Sequence, residues 1–186
     1  MIRSVKIIIY GGYCDIVHDD VFSLTGDGEY LEYEKNGVWY IESNPSGKGG
    51  NTIISVPRNF EFSSFILKAS GCAAKVSAIQ SKKAFFDIVS SVLEVDEISG
   101  EKIGISMSRG SAVINGVSGD EINIDCGLGS VDLKISKSDR EYSMLSKRGM
   151  GKIIVNSCEL PRNYEKQGGN STINIVCGMG TVNINT

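Results

Sequence analysis

The sequence predicts an all-β protein that forms a parallel β-helix, a solenoid in which each coil of the chain stacks on the next. Apolar residues recur every nineteen residues between about 65 and 135, as in the register Phe65, Ala84, Ile103 and Ile122. A fixed period of this length is typical of solenoids, because each copy buries its apolar face only against its neighbours. Apolar and polar residues alternate within each copy, which predicts strands. No twelve-residue stretch has a helical period, so we expect very little helix.

One nineteen-residue unit consists of two short strands joined by a corner. In the unit that begins at Ile122, every second residue is apolar over 122–126 and again over 131–135, and Gly-Leu-Gly-Ser fills positions 127–130. Glycine permits the positive φ that a sharp corner requires. At about 3.3 Å per residue the unit has a contour of roughly 60 Å, which is enough for one coil of a β-helix.

The Gly-x-Gly corner recurs at wider spacing towards the C-terminus, at 149–151 and 178–180. The wider spacing predicts insertions, and we expect residues 157–171, which are rich in Pro, Asn and Gly, to form a loop outside the stack. Residues 173–184 copy the unit that begins at Ile122 almost position for position. Because the sequence ends directly after this copy, we expect its last strand to lie uncovered at the end of the stack.

The period is blurred before residue 60, although 5–9, 38–41 and 52–56 read as strands and 44–51 reads as a flexible turn. Terminal repeats of solenoids are irregular because they must close the end of the core. Aromatic residues crowd this region: Tyr30, Tyr33, Trp39, Tyr40, Phe60 and Phe62. We therefore expect one domain over 1–186, with irregular coils and a cap in 1–60, regular repeats in 65–135, and C-terminal coils with loop insertions in 136–186.

Composition limits the function classes. Hydrophobic residues make up 41% of the chain, which is enough for a packed core, and the net charge of −3 lacks the basic footprint of a nucleic-acid-binding protein. We find neither a secretory signal nor an apolar run of the roughly 18 residues that a membrane span needs. As it stands, the chain is expected to be cytoplasmic. A cell-surface location is expected only if an export signal or anchor has been removed.

The cysteines are expected to be inert. Their odd number and the absence of a Cys-x-x-Cys pair argue against a disulfide framework and a zinc site. Two of them, Cys126 and Cys177, lie on the apolar side of their strands, where a thiol behaves as a small hydrophobe. The five cysteines are Cys14, Cys72, Cys126, Cys158 and Cys177. We expect no metal and no cofactor.

Three motifs that resemble catalytic or nucleotide-binding sites have simpler explanations. Each Gly-x-Gly corner is followed by a strand, whereas a dinucleotide fingerprint opens a helix. Residues 46–52 contain the residue types of a phosphate loop without its spacing, so a flexible turn is expected. His18, the one histidine, precedes Asp19 and Asp20 and is expected to be exposed in a loop. We assign no catalytic, cofactor-binding or metal-binding residue.

Some parallel β-helices cleave polysaccharides, and two carboxylates could serve such a reaction. Asp87 and Asp125 are expected to point outward from coils two apart, roughly 10 Å from each other, which is near the upper end of the separation used by inverting glycosidases. Alternating charges on a solvated strand also explain both residues. No aromatic platform for a sugar is expected beside them.

Three motifs carry a resemblance to a known family: Ile-Ile-Ser-Val-Pro-Arg-Asn-Phe-Glu-Phe at 53–62, Phe-Ile-Leu-Lys-Ala-Ser-Gly at 65–71, and the I-x-[IV]-x-x-G-x-G-x-[VI]-x-[IL] pattern at 122–133 and 173–184. In these motifs the chain resembles a bacterial family, the putative adhesins. The resemblance covers about 53–186 and, more loosely, the first fifty residues. It implies a single-stranded, right-handed parallel β-helix of unknown biochemical role, and it brings no catalytic or binding residues.

These observations together predict a non-enzymatic interaction or scaffold module that is adhesin-like and has a protein or glycan partner. One alternative is a self-assembling structural protein, a homo-oligomer formed through exposed end coils, since an uncovered strand is a template for pairing. A second alternative is a carbohydrate-binding or carbohydrate-cleaving β-helix.

Overall fold

The computed structural model describes residues 1–47, 49–136 and 142–186. These residues contain strands and no helix, which confirms the expected all-β class. Lys48 of the expected turn at 44–51, and residues 137–141 of the expected C-terminal part, lie outside the described residues. The strands in chain order are β1 Ser4–Tyr10, β2 Tyr13–Asp19, β3 Ser23–Gly26, β4 Tyr30–Lys35, β5 Val38–Ser43, β6 Asn51–Pro57, β7 Glu61–Phe62, β8 Ser64–Ser70, β9 Ala73–Val76, β10 Ile79–Ser81, β11 Lys83–Val95, β12 Ile98–Cys126, β13 Ser130–Ile135, β14 Tyr142–Arg148, β15 Lys152–Val155, β16 Cys158–Glu159, β17 Asn163–Lys166, β18 Ser171–Cys177 and β19 Thr181–Asn185.

The strands form one large, mostly parallel sheet that contains two long ladders. The first ladder runs β5, β1, β8, the start of β11, the start of β12, the end of β12, β18 and β14. The second runs β6, β2, β9, the end of β11, the middle of β12, β13, β19 and β15. The Gly127 N–H donates to the Met107 carbonyl at 2.7 Å, so the end of β12 lies beside its start. The short strand β10 pairs with β7 on one side and with the first residues of β12 on the other.

The strand register follows the apolar pattern of the sequence. Ala84 lies opposite Phe65 on one side and opposite Ile103 on the other, nineteen residues away in each direction. A slip of one residue would turn every apolar side chain outward, so the buried face fixes the register.

The described residues form eight layers, each of which gives one segment to each long ladder. The order of the layers departs from chain order at both ends, because the N-terminal and C-terminal segments each lie second from the end. In order along the stack the layers are layer 1 (38–57), layer 2 (4–19), layer 3 (64–76), layer 4 (83–95), layer 5 (102–114), layer 6 (121–135), layer 7 (171–185) and layer 8 (142–155).

The expectation that the C-terminal strand pair lies uncovered at the end of the stack is wrong. β18 and β19 lie between β12 and β13 on one side and β14 and β15 on the other. Matching side chains explain this position. The Asn174 amide donates to Asn123 Oδ1 at 2.9 Å, and the Asn183 amide donates to Asp132 Oδ1 at 2.6 Å. The two segments that are alike in sequence therefore stack directly on each other.

Antiparallel strands close both ends of the stack. At layer 1, β4 pairs with β5 and β3 pairs with β6. At layer 8, β17 pairs with β14 and β16 pairs with β15. Residues 157–171, expected as a loop outside the stack, thus contain two strands that extend the ladders. Both end layers have their backbone groups covered by a short local strand, which is a common protection for sheet edges.

The core is a continuous column of apolar side chains between the ladders, and aromatic rings close it near layer 1. Phe62, Phe65 and Phe86 follow one another with ring centroids 5.8 Å apart. Phe22, in the segment that leads to β3, packs edge-to-face on Trp39 at 5.6 Å and on Phe60 at 5.1 Å. Such contacts add to the free energy of burial.

The Gly-x-Gly corners depend on close backbone approach and not on the positive φ expected from the sequence. None of the glycines at 127–129, 149–151 and 178–180 has φ in the left-handed region. A Cβ on Gly180 would lie 2.3 Å from the Gly129 carbonyl oxygen, and one on Gly151 would lie 2.3 Å from the Gly180 carbonyl oxygen. Successive corners are therefore stacked too closely for any side chain at these positions.

Candidate functional site

The outward side chains of the first ladder form a continuous face over layers 4–7. Asp87 lies opposite Lys68 and Ser106, and Phe85 lies opposite Gly104. In the later layers Asn174 lies opposite Asn123 and Val176 lies opposite Asp125. We call this surface the flat face, and it comprises Phe85, Asp87, Gly104, Ser106, Asn123, Asp125, Asn174 and Val176.

The Phe85 ring lies over the backbone of Gly104. A Cβ at Gly104 would lie 2.7 Å from Phe85 Cδ2 and 3.2 Å from its Cε2, so only glycine leaves room for the ring. Covering a glycine with an aromatic ring from the next strand is a known way to stabilise a sheet. The ring nevertheless remains 40% exposed, and it presents apolar surface to solvent.

A shallow depression of about 330 Å³ lies beside this ring. Gly104 contributes no side chain to it, and Val176 is 52% exposed at its far side. The depression combines the aromatic ring and an aliphatic side chain with two carboxamides and a carboxylate. Its principal lining residues are Phe85, Gly104, Asn123, Asp125, Asn174 and Val176.

Hydrogen bonds hold the carboxamides in place. The Asn174 amide donates to Asn123 Oδ1, and the Asn123 amide donates to Glu121 Oε1 at 2.9 Å. Lys102 Nζ lies 2.8 Å from Glu121 Oε2. The hydrogen bond from Lys102 is the main cause that lowers the pKa of Glu121, and the same bond raises the pKa of Lys102. This network orients the two carboxamides of the depression.

The two carboxylates considered in the sequence analysis lie on the flat face, but one is already paired. Asp87 Oδ2 is 3.3 Å from Lys68 Nζ, whereas Asp125 lines the depression. The expectation that no aromatic side chain lies beside them is wrong, because Phe85 is two residues from Asp87 on the same face of β11. The sequence did carry a signal for this site, since Phe85 occupies an outward position and glycine stands nineteen residues later.

His18 does not lie in an exposed loop, as the sequence analysis expects. It is half-buried in β2, opposite Val56. Its Nδ1 is shielded from solvent and has no hydrogen-bond partner among the described residues. The ring lines a cleft of about 160 Å³ together with Phe60, Glu97 and Ser99. The strand continues through His18 because β6 pairs with β2 as far as Asp19.

Four of the five free cysteines are buried, and Cys158 is exposed. Burial raises the pKa of the Cys14 thiol to about 12, and the neighbouring Cys72 acts in the same direction. Burial likewise raises the pKa of Cys177 to about 11, with Cys126 adding to the shift. These two thiols stay protonated at neutral pH. Within residues 1–47, 49–136 and 142–186, no three His, Cys, Asp or Glu side chains converge as metal ligands.

Among the described residues, no helix is long and apolar enough to cross a membrane.

Neither a protein-family model nor a curated protein sequence matches the chain. Among solved structures, it is similar to one from Clostridium sporogenes named "a putative cell adhesion protein", with a TM-score of 0.52 and 16% sequence identity over 99% of this chain and 93% of that chain. It is also similar to "a putative adhesin" from Bacteroides fragilis, with a TM-score of 0.45 and 14% identity over 99% of this chain and 91% of that chain. The likeness to the clostridial protein shows a shared all-β fold.

Proposed function

We propose that the protein is a non-enzymatic, adhesin-like recognition module, a right-handed parallel β-solenoid whose flat face binds glycans. The nineteen-residue offset between parallel neighbours supports the solenoid, and the resemblance to the bacterial adhesin family supports its handedness. The observation that carries the binding function is the Phe85 ring, which lies over Gly104 beside fixed carboxamides.

The chemistry of the flat face suits a sugar. A pyranose ring has an apolar face of C–H groups, which can pack on the exposed surface of an aromatic ring, and a rim of hydroxyls. Asn and Asp side chains can donate to or accept from those hydroxyls. Because Asn123 and Asn174 are already held by hydrogen bonds, binding loses little side-chain entropy. An apolar floor with a few placed polar groups is the usual composition of a ligand site.

A glycan array tests this proposal with the wild-type protein and two matched variants. Phe85→Ala removes the ring, whereas Val113→Ala shortens an outward side chain of the second ladder with nearly equal exposure, 41% against 40%. An aromatic contact worth about 1–1.5 kcal/mol predicts a loss of affinity of roughly fivefold to tenfold for Phe85→Ala. Val113→Ala should bind as the wild type does. Equal binding by both variants, or no binding of any glycan by the wild type, contradicts the proposal.

Gly104→Ala provides a second test that keeps the ring. The added Cβ would lie 2.7 Å from Phe85 Cδ2, so the ring must move off the backbone. We expect weaker glycan binding even though every polar group of the depression remains. A thermal melt of each variant separates a change in the flat face from a loss of folding.

Cleavage of a polysaccharide is a second candidate, favoured by the position of Asp87 and Asp125 on the same face as Phe85. A catalytic carboxyl must reach the scissile bond, and Asp87 instead contacts Lys68. We therefore favour binding without cleavage. Release of reducing ends from a bound glycan, abolished in Asp87→Asn and Asp125→Asn, would establish the enzyme instead.

A further inference from the structure

The two ends of the stack carry opposite charge. The segment 19–47 begins at the last residue of β2 and includes β3, β4 and β5. It forms the layer 1 end of the stack. Its charged side chains are seven acids against one base: Asp19, Asp20, Asp27, Glu29, Glu32, Glu34 and Glu42 against Lys35. The N-terminal ammonium, 3.4 Å from Glu34 Oε1, offsets one of these charges.

The layer 8 end is basic. Residues 142–170 contain β14, β15, β16 and β17, and bases outnumber acids among their charged side chains. These side chains are Lys147, Arg148, Lys152, Arg162 and Lys166 against Glu159 and Glu165. Since the whole chain has a net charge of only −3, the charge is strongly separated along the stack.

Each end also has an edge strand. Within the described residues, β4 pairs only with β5 and β17 pairs only with β14. An unpaired strand edge presents backbone N–H and C=O groups that can pair with another strand. Both edges are therefore able to accept a further strand, and the side chains beside them decide which strand is suitable.

Charged side chains occupy positions that continue the buried columns at these edges. Glu32 lies opposite the buried Ile41, and Glu34 lies opposite the buried Trp39. At the other end Lys166 lies opposite the buried Met144. Two layer 1 ends placed together would bring glutamates against glutamates, which is unfavourable. Two layer 8 ends placed together would bring lysine against lysine, which is equally unfavourable.

We propose that copies of this chain associate head to tail, with the acidic β4 edge of one copy against the basic β17 edge of the next. Only this arrangement places the glutamates of β4 opposite the lysine of β17, where the two edges continue the buried columns of side chains. This association differs from the one expected from the sequence, which used an uncovered C-terminal strand. The C-terminal strands β18 and β19 are internal, so they cannot form the contact. The association is also independent of glycan binding, since the flat face lies on the side of the stack.

The arrangement joins two different surfaces of the chain, so the contact can repeat from copy to copy. The two edges lie at opposite ends of one stack, so the product is a linear chain of copies. Counting β4 and β17 together with the eight layers, and with strands about 4.8 Å apart, each copy adds roughly 50 Å of length.

Existing contacts make this association weak and sensitive to salt. Glu32 Oε1 accepts a hydrogen bond from Trp39 Nε1 at 2.9 Å, and Arg148 lies 3.0 Å from Glu159 Oε1. The Arg148–Glu159 ion pair is partly exposed, and such pairs contribute little to stability, so a neighbouring copy can replace it. The hydrogen bond from Trp39 is part-buried and should persist, which leaves Glu34 as the glutamate that contacts the next copy. Because the attraction is between exposed charges, salt screens it.

Sedimentation velocity tests the association. At about 20 mM NaCl the weight-average mass should rise with protein concentration. At about 500 mM NaCl the association constant should be lower by at least about tenfold. Glu34→Lys, and separately Lys147→Glu with Lys166→Glu, should each stay monomeric. Mixing these two variants should restore association, because the unaltered basic end of the first can still contact the unaltered acidic end of the second.

A matched control changes charge on the side of the stack with Lys83→Glu and Lys134→Glu, which should associate as the wild type does. A monomer at every salt and protein concentration overturns the proposal. So does association that the end variants leave unchanged, or a mixture that associates no more than its components. Thermal melts confirm that each variant is folded before its mass is compared.

Discussion

The sharpest test of the stacked corners is Gly180→Ala. Gly180 is buried in layer 7, and its neighbours Gly129 and Gly151 lie in the layers on either side. An added Cβ would lie 2.3 Å from the Gly129 carbonyl oxygen and 2.7 Å from Cys126 Sγ. Real Cβ atoms do not approach a carbonyl oxygen so closely, and the nearest atom belongs to backbone, which is held by two ladders. The two layers must therefore move apart at this corner.

The expected loss follows from two opposing effects. Overpacking in a well-packed interior costs about 1–3 kcal/mol. Replacing glycine by alanine recovers about 0.4–1 kcal/mol, because the unfolded chain loses conformational freedom. We therefore expect Gly180→Ala to lower the free energy of unfolding by about 1–2 kcal/mol, which for a chain of this size corresponds to a fall in Tm of roughly 2–8 °C.

Calorimetry or a melt followed by circular dichroism measures this change, with Gly116→Ala as the matched control. The nearest atom to a Cβ at Gly116 is Glu97 Cγ at 3.2 Å, and that flexible side chain can move away. Gly116→Ala should melt at or slightly above the wild-type temperature. If Gly180→Ala melts within about 1 °C of the wild type, close approach does not determine the corner and the reasoning fails.

Three further outcomes are expected. Stability should fall between about pH 9 and pH 12, because burial raises the pKa of Cys14 to about 12 while the unfolded thiol ionises near 9. The slope is about 1.4 kcal/mol per pH unit for one such thiol. In a urea-denaturation series over that range, Cys14→Ala should remove the contribution of one thiol and leave that of Cys177, whose pKa is raised to about 11. A thiol reagent should modify Cys158 alone in the folded protein, since the other cysteines are buried, and more than one equivalent before unfolding would contradict this. Phe22→Ala should reduce stability by about 2 kcal/mol, because the half-buried ring contacts Trp39 and Phe60, and an unchanged melt would show that these rings do not close the core.

Much of the local structure follows from sequence alone. The alternation in β18 predicts its inward residues, and Ile173 and Ile175 are indeed buried. The nineteen-residue period predicts which residues lie opposite each other, as with Phe65 and Ala84. Both inferences succeed because alternation and register depend on short-range geometry and on burial of one face.

The candidate site was only partly accessible from sequence. The outward position of Asp87 and Asp125 follows from alternation, and both lie on the flat face. The sequence does not predict the contact between Phe85 and Gly104. Alternation predicts that the Phe85 side chain points outward, but it does not predict which neighbouring residue the ring contacts. His18 was misplaced for a similar reason, since pairing with β6 extends β2 beyond its apolar residues.

The sequence by itself determined the all-β class, the inward and outward faces of each strand, and the register between neighbouring repeats, because all of these depend on the spacing of apolar residues along the chain. Only the tertiary structure decided the order of the layers. A period states that segments stack, but it does not state which segment follows which in space. The amide contacts of Asn174 and Asn183 favour the C-terminal segment as the neighbour of layer 6. That choice leaves 142–155 at the end of the stack, where its antiparallel partner strands and basic side chains define one of the protein's two charged ends.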